Sequence, residues 1–114
     1  MTSSKSDVLL GTLDLLVLKL LESEPMHGWG LSQQLEEMSG GVFQVNQGSL
    51  YPALQRLKTK GMIRSRWATT ENGRRARYYE LTRSGTEQLA EEVAAWLRTS
   101  GAVNRVIGLG LEAG

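Results

Sequence analysis

Basic side chains are concentrated in one stretch of the chain, between Arg56 and Arg83. This stretch contains nine basic and two acidic residues, whereas the rest of the chain contains four basic and ten acidic residues. The stretch therefore carries +7 and the remainder −6, although the net charge of the whole chain is only +1. Such segregation is typical of a protein that turns one positive face toward a polyanion such as DNA. A patch of solvated charges without a partner is the alternative.

Groups suited to catalysis or metal binding are scarce. His27 is the single histidine and the chain has no cysteine, so neither a second imidazole nor a thiolate completes a metal site. Glu91 and Glu92 are adjacent, and neighbours on a helix point apart rather than toward one substrate. We predict no catalytic residue, no metal, no cofactor and no enzymatic activity.

A polar set of candidate residues lies on a segment with helical periodicity, from Gln47 to Lys60. Leu50, Leu54 and Leu57 give this predicted helix a buried side. Gln offers a donor and an acceptor together, as base edges in the major groove require, and Gly48 permits close approach to a backbone. The candidate DNA contacts on this helix are Gln47, Gly48, Ser49, Tyr51, Gln55 and Lys58. Pro52 predicts either a helix start near Ser49 or an irregular early turn.

Two extended segments follow, Met62 to Thr69 and Ala76 to Leu81. The polar loop between them contains Asn72-Gly73, which predicts a β-hairpin. Tyr79 shares a strand face with Leu81 and is predicted to be buried.

The tip of this hairpin is rich in arginine. Three arginines within four residues, with no acid among them, suit phosphate contacts or insertion into a minor groove. Charge placed there for solubility alone is the alternative. The candidate DNA contacts on the hairpin are Arg74, Arg75, Arg77 and Tyr78.

Two helices precede these segments. The first, predicted over Val8–Leu21 with Ser6 or Asp7 as its cap, carries two apolar stripes. The stripes are Leu9, Leu13, Leu16 and Leu20, and Leu10, Val17 and Leu21. A helix that is apolar on two sides in so short a chain indicates a second subunit as well as an intrachain core. The second helix, predicted over Gly28–Met38, buries Leu31, Leu35 and Met38 and ends at Gly40-Gly41.

The last predicted helix is capped by Thr82 and has a long apolar stripe. The stripe consists of Leu89, Val93, Trp96, Leu97, Val103 and Ile107. Gly101 should weaken this helix, and the chain from Gly108 should fray. We predict a mainly α fold with a small β-hairpin: a winged helix-turn-helix DNA-binding domain over residues 1–81 and a dimerisation helix with its tail over residues 82–114.

Three motifs resemble the PadR family of bacterial transcriptional regulators. GSLYPALQRLKTKGMI (Gly48 to Ile63) resembles the family's recognition-helix stretch, and GRRARYYELTRSG (Gly73 to Gly85) resembles its wing and the start of the final helix. HGWGLSQQL (His27 to Leu35) is similar to its second helix, with Trp29 where a tyrosine is common. The likeness extends from about Leu9 to Ile107.

The resemblance implies a homodimer formed by the first and last helices, in most members a repressor that leaves its operator when a small molecule binds. The single short final helix resembles the compact subfamily, in which some members bind aromatic or cationic compounds at the dimer centre. Trp96 stands where those members have a pocket tryptophan, and Leu13, Val17 and Val93 are the accompanying candidates for effector contact. Ordinary packing of Trp96 in the dimer interface is the alternative.

These expectations define the partners. They are double-stranded DNA with a pseudo-palindromic operator, a second copy of the chain, and an aromatic or cationic effector. No signal peptide or membrane span is predicted, since Asp14 and Lys19 interrupt the apolar run, and the absence of cysteine is compatible with the cytoplasm. A winged-helix adaptor that binds protein rather than DNA is the rival function.

Overall fold

The computed structural model describes the backbone of residues 3–109 and the side chains of residues 12–109. It contains four helices and three strands. In chain order these are α1 (Ser3–Ser23), β1 (Met26–His27), α2 (Gly28–Met38), α3 (Gln47–Thr59), β2 (Ile63–Thr69), β3 (Arg75–Leu81) and α4 (Arg83–Ile107). The predicted order of three helices, a hairpin and a long helix is confirmed.

The sheet is antiparallel, with β3 between β1 and β2. Strands β2 and β3 form the hairpin called the wing below, and they pair from Ile63 opposite Leu81 to Thr69 opposite Arg75. Gly73 closes the connecting turn with a φ of 81°, a left-handed conformation that suits glycine. The two-residue strand β1, which pairs with Tyr78 and Tyr79 of β3, was not predicted.

The core lies between α1, α2, α3 and the base of the wing. Leucines from all three of these helices are buried in it, and Tyr79 of the wing is buried as predicted. Helix α1 packs against α2, α3, α4 and β3, and among its described side chains, from Thr12 on, Leu13, Val17, Leu18, Leu20 and Leu21 are buried within the single chain. The second apolar stripe of α1 therefore needs no second subunit to bury Val17 and Leu21.

Side chains cap the helices that carry the candidate site. His27 precedes α2 as its N-cap, and its Nδ1 accepts a hydrogen bond of 2.9 Å from the Gly30 amide. Asn46 precedes α3 as its N-cap, and its Oδ1 accepts a hydrogen bond of 2.9 Å from the Ser49 amide. Both residues satisfy donors that a helix start leaves without an intrahelical partner.

Thr82 caps α4 as predicted and also joins it to the preceding elements. Its Oγ1 accepts from the Gly85 amide and donates a 2.6 Å hydrogen bond to the Gly61 carbonyl, while its own amide donates to Met62. Gly85 is buried against Met62 and Leu81. The start of α4 is thereby fixed to the turn between α3 and β2 and to the base of the wing.

Several local predictions were wrong. Helix α1 begins at Ser3, so Ser6 and Asp7 lie inside it rather than cap it. Helix α3 begins at Gln47 as its periodicity predicted, and only the alternative start near Ser49 was wrong, because Pro52 leaves the helix without one backbone donor but does not end it. Met38 is exposed at the last turn of α2.

At the other end of the chain, α4 continues through Gly101 to Ile107. Gly108 ends it in a left-handed conformation with a φ of 85°. The fraying predicted from Gly108 is not seen at Gly108 and Leu109, whose amides donate to the carbonyls of Arg105 and Asn104, and residues 110–114 lie outside the described part of the chain.

Candidate nucleic-acid interface

Helix α3 buries one side and exposes the other. Leu50, Ala53, Leu54 and Leu57 are buried against the rest of the core. The six candidates predicted on this helix are all exposed: Gln47, Gly48, Ser49, Tyr51, Gln55 and Lys58. The exposed side is polar. A major groove admits a single α-helix, so α3 can present this polar side to base edges.

The first of these residues has a structural contact that the sequence did not reveal. The Gln47 side chain donates from Nε2 to the Ser32 hydroxyl of α2 at 3.0 Å. A β-carbon at Gly28 would lie 2.8 Å from Oε1 of Gln47, so the two chain segments approach closely there. Gln47 therefore holds the start of α3 against α2.

The wing presents its arginines in two ways. Arg74 and Arg75 are exposed at its tip, and neither has an ion-pair partner among the described residues. Arg77 is half-buried, and its Nη1 donates to the Ser65 hydroxyl at 3.0 Å. Tyr78 is half-buried as well, with its ring edge-on to His27 at a centroid separation of 5.1 Å. Tyr78 is thus already packed against β1.

Trp67 is a wing residue that the sequence reasoning missed. It lies on β2 directly opposite Arg77, and 54% of its surface is exposed. The guanidinium carbons of Arg77 and Arg75 lie 5.0 Å and 5.8 Å from the centre of its ring, within the range of cation–π attraction. Pairing the two predicted strands residue by residue would have been the signal, but the register depends on the turn.

A concave groove of about 820 Å³ joins these parts of the surface. Its walls are the start of α2, one side of α3 and the wing, and they include Gln47, Tyr51, Trp67, Arg74, Arg75 and Arg77. The structure thus brings together candidates from the helix and from the wing that lie far apart in sequence. Gln55 and Lys58, farther along α3, do not line the groove.

Tyr51 and Tyr79 connect the floor of the groove to the core. Burial raises the pKa of the Tyr79 hydroxyl above its usual value, the nearby Tyr51 hydroxyl raises it further, and Arg77 opposes the rise. The Tyr79 hydroxyl is therefore neutral near pH 7, and the positive charge in this part of the groove comes from arginine.

Acidic partners reduce the charge of the basic stretch. Arg64 and Arg66 lie 2.7 Å and 3.7 Å from Glu80, and Arg56 lies 2.9 Å from Asp14. The hydrogen bond from Arg64 lowers the pKa of the Glu80 carboxyl below its usual value, and Arg66 acts in the same direction. Within the described part of this stretch, the basic side chains without an ion-pair partner are Arg74, Arg75 and Arg77 on the wing, and Lys58, Lys60 and Arg83 outside it.

The residues predicted to contact an effector fall into two environments. Leu13 and Val17 are fully buried in the core of the single chain, so they do not line a gap between subunits as predicted. The cause is the packing of α1 against four other elements of its own chain. Val93 and Trp96, in contrast, are exposed on α4, Trp96 to 46%.

The described residues hold no group of histidine, aspartate or glutamate side chains that is arranged to bind a metal ion. Within the same part of the chain, the helices are too short or too polar to cross a membrane.

Comparison with known proteins agrees with this architecture. Residues 17–91 match the transcriptional regulator PadR-like family. An uncharacterized protein X of Lysinibacillus sphaericus is 30% identical over 108 residues, which cover 95% of this chain and 95% of that protein.

Solved structures show the same fold. A transcriptional regulator from Clostridium thermocellum superimposes with a TM-score of 0.79 at 26% identity, covering 87% of this chain and 96% of its own. A PadR-like transcriptional regulator from Bacillus cereus strain ATCC 14579 has a TM-score of 0.77 at 30% identity, with 89% and 96% covered. The family match spans more than half of the chain, and the winged helix agrees with it. The chain therefore belongs to the PadR-like family of transcriptional regulators, whose members regulate transcription and are not enzymes.

Proposed function

We propose that this transcription regulator binds a duplex DNA operator as a homodimer and acts as a repressor that a small molecule releases. The observation that carries the proposal is the shared groove, whose walls combine Gln47 and Tyr51 of the exposed side of α3 with the unpaired arginines of the wing. A helix in the major groove and a basic hairpin on the adjoining backbone together supply sequence reading and affinity.

The homodimer rests on the surface of α4. Val93, Trp96, Leu97, Val103 and Ile107 recur at helical spacing and are exposed in the single chain. Contiguous apolar surface of this kind marks an interaction site, and a second copy of α4 offers a matching one. A twofold axis through this contact would repeat the two α3 helices on DNA, so the operator should be pseudo-palindromic.

The effector site is proposed at the same contact. Trp96 would approach its symmetry mate there, with Val93 beside it, and a planar aromatic or cationic compound would stack between the two indoles. Such a compound regulates only if it favours one arrangement of the two subunits over another. Trp96→Ala should then abolish both quenching of tryptophan fluorescence by the compound and release of DNA. An unaltered response would exclude Trp96 from the site.

Titration of fluorescent duplex DNA from upstream of its own gene tests the central proposal. Affinity should fall log-linearly with salt, because arginine contacts release counterions from phosphates. Unlabelled operator should compete better than a shuffled duplex. An adaptor that binds only protein would show no saturable DNA binding even at low salt, and the proposal would then be wrong. We also propose that the protein is cytoplasmic, and this part of the proposal depends on DNA binding.

A further inference from the structure

One face of the wing carries an indole with two guanidinium groups above it. Residues paired across antiparallel strands share a face, and Trp67 is paired with Arg77 while Thr69 is paired with Arg75. Trp67 is therefore the direct neighbour of one arginine and the diagonal neighbour of the other. The distances of 5.0 Å and 5.8 Å confirm that both guanidiniums are in range of the ring.

This contact restricts side chains that would otherwise be mobile. A free arginine samples many rotamers, and holding it in one orientation at an interface costs entropy on binding. Arg77 is restricted twice, by Trp67 and by its hydrogen bond to Ser65. An arginine already ordered in the free protein loses less entropy when an anion arrives.

The restricted arginines face a groove whose opposite wall is also aromatic. Tyr51 of α3 and Trp67 of the wing both line it, with 53% and 54% of their surfaces exposed. A phosphodiester strand has the matching chemistry, since its phosphate oxygens suit guanidinium and its sugars offer an apolar side to an aromatic ring. The residues that line the groove therefore suit the binding of one DNA strand between α3 and the wing.

We propose that Trp67 is a positioning residue that holds Arg75 and Arg77 toward the phosphodiester strand seated in this groove. The inference rests on the proposed DNA binding and adds to it a residue that neither carries charge nor reads a base. Trp67 acts before the complex forms, by fixing the direction of the two wing arginines.

Duplex affinity of the full-length protein tests this with three replacements. Trp67→Ala should weaken binding about five- to tenfold, because the two arginine side chains would then be ordered only on binding. Trp67→Leu, which keeps apolar bulk without a π face, should weaken binding about as much. Trp67→Phe keeps the ring face and should remain within about twofold of the parent protein. Urea unfolding of each variant checks that the wing is still folded.

Trp67→Ala in an Arg75→Ala/Arg77→Ala background separates an effect on the position of the arginines from an effect on the stability of the fold. There Trp67→Ala should have no further effect, because the side chains that it positions are absent. An equal loss of affinity in both backgrounds, an unchanged affinity in Trp67→Ala, or a loss in Trp67→Phe as large as that in Trp67→Leu would overturn the inference. If the parent protein itself binds no duplex, it is the proposed function that fails.

Discussion

Gln47, the first residue of α3, binds α2 with its side chain, although its residue type suits base recognition. Its amide nitrogen is bound to Ser32, and its oxygen faces the position where Gly28 lacks a β-carbon. Gln55 is exposed farther along the same helix. The two glutamines are therefore expected to contribute to DNA binding in different ways.

Alanine substitution should separate these roles. Gln55→Ala should change the preference at one particular base pair, by about 1–3 kcal/mol if it removes a bidentate hydrogen-bond pair. Gln47→Ala should lower affinity for every sequence alike, because it loosens α3 from α2. Competition with a set of single-base operator variants measures both effects. A change confined to one base pair in Gln47→Ala would return this residue to base reading.

Gly85 and Gly101 make opposite predictions within α4. A β-carbon at Gly85 would overlap the Met62 carbonyl oxygen, so Gly85→Ala should destabilise the fold by about 1–3 kcal/mol. Gly101 has only the end of the Arg105 side chain nearby, so Gly101→Ala should stabilise the helix by about 0.5–1 kcal/mol. Urea unfolding at one fixed protein concentration compares them. Equal effects of the two substitutions would contradict the close packing at Gly85.

The residue types predicted which polar candidates on α3 are exposed. They did not predict which other residues these side chains contact. Leucines at helical spacing indicated which side of α3 is buried, and the exposed side follows from them. The engagement of Gln47 with Ser32 joins residues on separate helices, and the stacking on Trp67 requires a strand register. Neither depends on a local pattern, which is why both were missed.

At the scale of elements, the wing tip holds charge that no acid among the described residues neutralises. Arg74→Ala/Arg75→Ala should weaken binding to many DNA sequences and reduce the salt slope by roughly one unit for each phosphate that is no longer bound. Lys19→Ala removes a charge from α1 that is paired with Glu22, and it should leave the slope unchanged. Anisotropy titrations at several salt concentrations give both slopes. Equal slopes in the two variants would exclude the wing tip from DNA binding.

Hydrophobic periodicity in the sequence predicted the long helices and the hairpin. It predicted neither the short strand β1 nor which elements cover α1. Helices α2 and α4 and the hairpin were predicted because several turns or alternations repeat the same pattern. Strand β1 has two residues, which is too few for any alternation to be detected. The two apolar sides of α1 were correctly recognised, but sequence could not show that the chain's own wing and helices cover Leu13 and Val17.

At the scale of the whole molecule, the exposed stripe of α4 predicts the assembly. Leu97 is 66% exposed in the single chain, and Leu97→Glu should weaken the dimer by about 2 kcal/mol or more, because an unpaired charge would be buried there. Ala94→Glu adds the same side chain away from the stripe and should leave the dimer intact. Light scattering over a dilution series measures both. A parent protein that is monomeric at micromolar concentration would contradict the proposed dimer.

Because Thr82 is hydrogen-bonded to the preceding elements, α4 is attached rigidly, and not flexibly, at its first turn. Hydrogen bonds to Gly61 and Met62 fix its near end to the turn between α3 and β2. With 25 residues it is about 37 Å long, so a tilt of about 5° at one end moves the other by about 3 Å. In the proposed dimer, a small change in the crossing angle of the two α4 helices would move both α3 helices as rigid bodies. Their separation must match one DNA turn of about 34 Å, and a few ångströms of swing would spoil that match.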